Sequence, residues 1–146
     1  MSGLSHISNS KGKRFKTAPG NCLSKNIIYA ATCKLCSKKY VGKSTQICSS
    51  RNNGHRAMFI KYKKQTEKNA NLTIKDLDDY SLSIHLHNDH NIKNNDGFDK
   101  NFKFTILEHC RPRDIVVKEH LWIQKLLCLY PHGLNLVSSL GFPLLF

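Results

Sequence analysis

The sequence predicts a small α/β domain of the α+β kind, a short and mostly antiparallel sheet with helices packed against it. Three observations predict it. Two β-prone runs, residues 26–32 and 39–42, flank a Cys-x-x-Cys in "NIIYAATCKLCSKKYVG" and read as a hairpin with an enlarged turn. Phe102, Phe104 and Ile106 alternate with Lys103 and Thr105, the period of a half-buried strand over 102–108. Two further stretches carry apolar residues at helical spacing.

Taken in order, residues 1–21 are rich in Ser, Gly and Lys, show no periodicity and read as a flexible basic tail. "KGKRFK" within them suits a nuclear address or a phosphate-gripping arm. The domain itself spans 22–137. After the hairpin, a helix is predicted from Ser44 or Thr45 to about residue 65, with Ile47, Met58, Phe59 and Tyr62 on one face. Asn52, Asn53 and Gly54 weaken its middle. Residues 63–100, dense in Lys, Asn and Asp, read as loops around a shorter helix near Asp76–His87. The 102–108 strand follows. Pro112 and Asp114 then open a helix that runs to about Leu129 and stops before Pro131 and Gly133. Residues 138–146 form a short apolar tail, and no internal repeat is present.

The chain carries 23 Lys and Arg against 10 Asp and Glu, a formal charge of +13 on 146 residues. Such an excess points to an anionic partner, with nucleic acid first because phosphates recruit Lys and Arg. No apolar run is long enough to span a membrane, and the first twenty residues lack the apolar stretch of a signal peptide. The expectation is an intracellular, reducing setting, nuclear if the basic cluster is an address. Six cysteines there suggest metal binding or buried thiols rather than a disulfide framework.

Polar residues on apolar faces mark the candidate chemistry. Glu119 falls in the middle of the stripe made by Ile115, Val116, Trp122, Ile123, Leu126 and Leu127. A carboxylate there must be paired or bind a metal, because an unpaired buried charge costs several kcal/mol. Arg51 and His55, four apart, share a face with the apolar anchors of the first helix. A guanidinium suits a phosphate oxygen, or else its stem packs while its head reaches solvent. Cys33 and Cys36 have zinc-knuckle spacing, and "SIHLHNDHN" offers His85, His87 and His90 as further ligands. Four ligands would close the site and make it structural; the competing reading is free thiols beside a solvated histidine cluster.

Together these residues resemble a GIY-YIG endonuclease domain over roughly residues 26–137. "IIY" at Ile27–Tyr29 and "YVG" at Tyr40–Gly42 match the two name-giving motifs, Arg51 with His55 the Arg-x-x-x-His, Glu119 the single metal-binding glutamate and Asn135 the late asparagine. "YAATCKLCSKKYVG", "HLHNDH" and "EHLWIQKLLCLYPHGLN" resemble, more narrowly, the endonuclease domain of Penelope-like retroelements, which carries an inserted Cys₂His₂ zinc site. Ile27 stands where the family name has Gly, Lys43 follows "YVG" where many relatives are acidic, and Gly54 loosens the helix before His55. The reverse transcriptase that accompanies such a domain is not in this sequence, so an excised domain, a fragment or a decayed copy is expected.

The resemblance implies hydrolysis of a DNA phosphodiester, most simply a nick, as in retroelement integration. Tyr29 would activate the attacking water, Tyr40 would position water or phosphate, and Arg51 would hold the non-bridging oxygens, with His55 assisting. Glu119 would bind one Mg²⁺ or Mn²⁺, and Asn135 would orient substrate or the surroundings of the glutamate. The structural zinc would sit on Cys33, Cys36, His85 and His90, with His87 in reserve. DNA is the implied partner, with a reverse transcriptase domain or its RNA in the parent element, and no membrane or small-molecule cofactor. Two other readings fit parts of the pattern: an inactive zinc-stabilised nucleic-acid-binding module, and a structure-specific repair nuclease of the same superfamily.

Overall fold

A computed structural model describes residues 5–21, 23–68, 71–94 and 96–136, without the side chains at 48, 49, 51, 52, 74, 75 and 78. The predicted C-terminal tail, 138–146, lies outside the described residues.

The centre is a three-stranded antiparallel sheet. Strand β3 (Ile27–Cys33) lies between β4 (Lys39–Ser44) and β5 (Phe102–His109). Ile27 to Ala31 are all buried, as a central strand covered on both faces requires. Ile28 and Ala30 face a cluster formed with Val41, Leu107 and the last helix, α5 (Ile115–Lys125). Ala31 and Cys33 face Phe59 of α1 (Cys48–Glu67), Leu82 and Leu86, and Phe98. Ile27 and Tyr29 extend the same face against Ile106. Between Ile28 and Tyr29 the pairing with β5 slips by one residue, a bulge that bends the strand at the tyrosine.

The middle of the chain forms short pieces, not one helix over Asp76–His87: α2 (Ile74–Asp79), α3 (Ser81–Ile84) and a widened i→i+5 turn over His85–Asp89. Then comes α4 (Gly97–Asn101), which leads into β5. In α1 the buried anchors are His55, Phe59 and Tyr62, at helical spacing, whereas Ile47 precedes the helix and is exposed. Gly54 does not interrupt α1, because packing of that face outweighs a weak local propensity.

Two further expectations are corrected. Residues 1–21 were expected to form a flexible tail, yet they include a hairpin of β1 (His6–Ser8) and β2 (Arg14–Lys16). The Asn9 carboxamide accepts the backbone N–H of Lys11 and of Lys13, and Gly12 takes φ 85°, which together close the turn. Ile7 then enters the core, and Phe15 meets Trp122 edge-on at 6.0 Å. Three-residue strands are too short to show periodicity, so only docking on α5 fixes them. The second correction is the end of α5, at Lys125 and not about Leu129. Leu127 adopts φ 54° and turns the chain, so that Cys128 becomes a buried core residue. Burial pushes its thiol up to about 12, which makes it inert.

Candidate active site and metal centre

The hairpin pairing sets the first constellation. Tyr29 lies opposite Gly42 and Ala31 opposite Tyr40, so both tyrosines emerge on the sheet face that α1 covers. The Tyr29 ring crosses Gly42, where an added Cβ would collide with the phenol. Only glycine leaves that passage open. The phenol reaches α1 and its oxygen lies 2.7 Å from His55 Nε2, in a pair that is 2% and 5% exposed. Tyr40 meets the same imidazole edge-on at 6.1 Å, while Phe98 stacks on it and Phe104 flanks it, each at 6.0 Å. The imidazole is thereby fixed in an aromatic box with one ring nitrogen directed at a phenol.

Glu119 stands on α5 and is 7% exposed. The Lys43 ammonium approaches it to 3.8 Å from β4. Along β4, Val41 and Lys43 alternate towards α5, and Tyr40 and Gly42 towards α1. Tyr40 and Lys43 are three residues apart, about 10 Å along a strand. The edge strand thus carries contacts to both groups on its opposite faces: the tyrosine–histidine box on the α1 side and the glutamate on the α5 side. The side chain of Arg51, expected to grip a phosphate, lies outside the described residues; its backbone belongs to α1.

Asn135 is held on the edge of β4. It is 2% exposed; its Oδ1 accepts the Val41 N–H at 2.8 Å and its Nδ2 donates to the Val41 carbonyl at 2.9 Å. The carboxamide imitates a neighbouring strand on the open edge of β4. Gly133 lets the chain press against the Cys128 backbone, where a Cβ would not fit, and Leu134 N–H donates to the Lys39 carbonyl at 2.9 Å. Asn135 therefore braces the strand that carries Tyr40 and Lys43.

At the far end of the hairpin four ligand atoms converge. Those of Cys33, Cys36, His85 and His90 all lie within 4.8 Å of one another. Cys33 Sγ is 3.6 Å from His90 Nε2, Cys36 Sγ is 3.2 Å from His85 Nε2, and the two Nε2 atoms are 3.2 Å apart. A tetrahedron with metal–ligand bonds of about 2.0–2.3 Å has edges of about 3.3–3.8 Å. The cluster could therefore hold a metal ion. Local structure explains the convergence. Ser37 takes φ 68° and donates its N–H to the Cys33 carbonyl at 2.8 Å, which curls the Cys-x-x-Cys. On the other side the widened turn adds the residue that brings His90 round to His85.

Asp89 completes the arrangement. Its carboxylate accepts His85 Nδ1–H at 2.7 Å, which leaves the Nε2 lone pair facing the cluster. Burial holds the His85 imidazole low, despite the raising influence of Asp89, and so favours the neutral, ligating form. Burial pushes the Cys33 thiol up, so a cation is needed to keep a thiolate there. In the sequence, Asp89 is marked as a partner of His85 only by its i+4 spacing. His87, the reserve ligand, points elsewhere: its ring packs 5.3 Å from Phe59 and 5.0 Å from Tyr62.

No protein-family model, curated protein or solved structure matches the chain. No helix among the described residues is long and apolar enough to cross a membrane.

Proposed function

We propose that this chain hydrolyses a phosphodiester bond of DNA in the manner of the GIY-YIG endonucleases that its motifs resemble. The observation that carries the reading is the buried 2.7 Å contact between Tyr29 Oη and His55 Nε2, with Tyr40 against the same ring. A free phenol has a pKa near 10 and is a poor base at neutral pH. With Nε2 unprotonated, His55 can take the phenol's proton as Tyr29 takes one from the attacking water. The water oxygen then bonds to phosphorus as the bond to the leaving oxygen breaks. Arg51 would hold the non-bridging oxygens, where charge accumulates.

Glu119 is the residue for a hard divalent ion, Mg²⁺ or Mn²⁺. One carboxylate suffices where water and substrate phosphate complete the shell, but the Lys43 ammonium must be displaced or turn to the phosphate. When bound, such an ion supplies positive charge against the developing leaving oxygen. Cys33, Cys36, His85 and His90 would hold zinc, a closed four-ligand site that ties the hairpin turn to the middle segment. The charge of +13 supports DNA as the partner.

The Lys43–Glu119 pair favours one alternative, a nucleic-acid-binding module without activity, because the pair neutralises the carboxylate in place. Nicking of supercoiled plasmid in Mg²⁺ separates the two, with the parent compared with Glu119→Ala. Nicking by the parent alone supports the nuclease and its metal ligand. DNA binding with no nicking by either chain supports the binding module.

A further inference from the structure

Two clefts meet at Lys38, outside the tyrosine–histidine box and beside the Cys-x-x-Cys turn. The first, about 380 Å³, is walled by Leu77, Ile84, Leu134 and Leu136, with Tyr130 among its lining residues. Tyr130 is 58% exposed, unusual for an aromatic beside an apolar hollow. The second, about 430 Å³, is more polar: Lys38, Lys39 and His132 line it with Ser8 and Ser37 from the two hairpins, beside Leu126 and Leu127. Among the described residues no carboxylate lines the second cleft, and the one lining the first, Asp89, is hydrogen-bonded to His85.

An apolar slot with an accessible ring, next to a cationic slot, matches the two halves of a nucleotide. Duplex DNA cannot offer a base face to the apolar slot, since its bases are stacked inside and show only their edges in the grooves. An unpaired base can enter the first cleft and stack on Tyr130 while its phosphate meets Lys38, Lys39 and His132. We propose that these paired clefts bind unpaired nucleotides, so that the preferred substrate is DNA carrying a single-stranded stretch. This rests on DNA being the partner, as proposed above, but not on the chain being active. The two clefts lie against the metal cluster through Cys36 and His85, so a folded metal centre would hold both walls in place.

Fluorescence anisotropy of the full chain tests it, with a labelled duplex, the same duplex bearing a short unpaired flap, and the free strand as probes. The parent should bind the flap and the single strand about tenfold more tightly than the duplex. Tyr130→Ala should erase that preference with duplex affinity unchanged, Tyr130→Phe should keep it, and Lys38→Gln should weaken all three probes. Equal affinity of the parent for all probes, or an undiminished preference in Tyr130→Ala, overturns the proposal. Nicking distinguishes the two readings. A preference that depends on Tyr130 without nicking sinks the nuclease and leaves this inference; nicking with no such preference does the reverse.

Discussion

Tyr29 on β3 and His55 on α1 form one buried hydrogen bond, 2.7 Å from Oη to Nε2, across the interface between sheet and helix. A phenol and an imidazole so placed share a proton whichever of them carries it. Tyr29→Phe removes the oxygen and keeps the ring. Nicking should fall at least a hundredfold, the scale of a lost general base, with DNA affinity unchanged. Undiminished nicking would remove Tyr29 from the chemistry. Urea unfolding should show a loss of about 1–2 kcal/mol, from the bond and the unpaired imidazole.

Gly42 determines whether that bond exists. In Gly42→Ala the new methyl occupies the path of the Tyr29 phenol. The ring must move or β4 must shift, at a cost of about 1–3 kcal/mol. The imidazole resonances of His55 should move with it in NMR spectra. An unshifted His55 and an unchanged midpoint would show that the ring does not lie across Gly42.

Asn135→Ala leaves the Val41 N–H and C=O without their partners on the edge of β4. Two buried backbone groups left unpaired cost about 2–4 kcal/mol together. Asn135→Asp should not recover this, since it keeps an acceptor for the N–H but turns a buried carboxylate against the Val41 carbonyl. Equal stability of all three chains in denaturant would show that the carboxamide braces nothing.

The metal cluster predicts one tightly bound zinc per chain by elemental analysis. Cys33→Ser should abolish it and unfold or strongly destabilise the domain, because binding energy at such a site is folding energy. Asp89→Ala should retain the zinc but weaken its affinity by about tenfold or more, through loss of the bond that orients His85. A chain that holds no zinc, with a fold indifferent to chelators, would refute the site.

Glu108 links β5 to α5, accepting Trp122 Nε1–H at 2.9 Å and pairing with the Lys118 ammonium at 2.9 Å. Burial pushes its carboxyl up, but the bonds to Lys118 and Trp122 outweigh this and hold it below the ordinary range. The folded state therefore binds the proton less readily than the unfolded chain. The stabilisation is present above the ordinary carboxylate pKa and is lost as pH falls through the depressed folded value. In Glu108→Gln the acid limb of the stability–pH profile should flatten; an identical limb in both chains would assign the acid loss to other groups.

Elements with a period and residues with a chemistry are legible in the amino-acid order alone. Alternation marked β5, the continuous apolar run marked β3, and the stripe around Trp122 marked α5 and set Glu119 among apolar neighbours. The Cys-x-x-Cys and the histidine run offered five candidate ligands, Cys33, Cys36, His85, His87 and His90, because ligand type and spacing are local properties, and the family resemblance singled out four of them. Tertiary structure decided what depends on contact. It separated His87, turned into the core against Phe59 and Tyr62, from His85 and His90, which a widened turn brings together. It gave residues 6–16 a fold, since strands that short gain their order from docking on Trp122 and the core. It set Asn135 to bracing Val41, and Lys43 against Glu119, because pairing across an edge follows from register and packing, which no local spacing encodes.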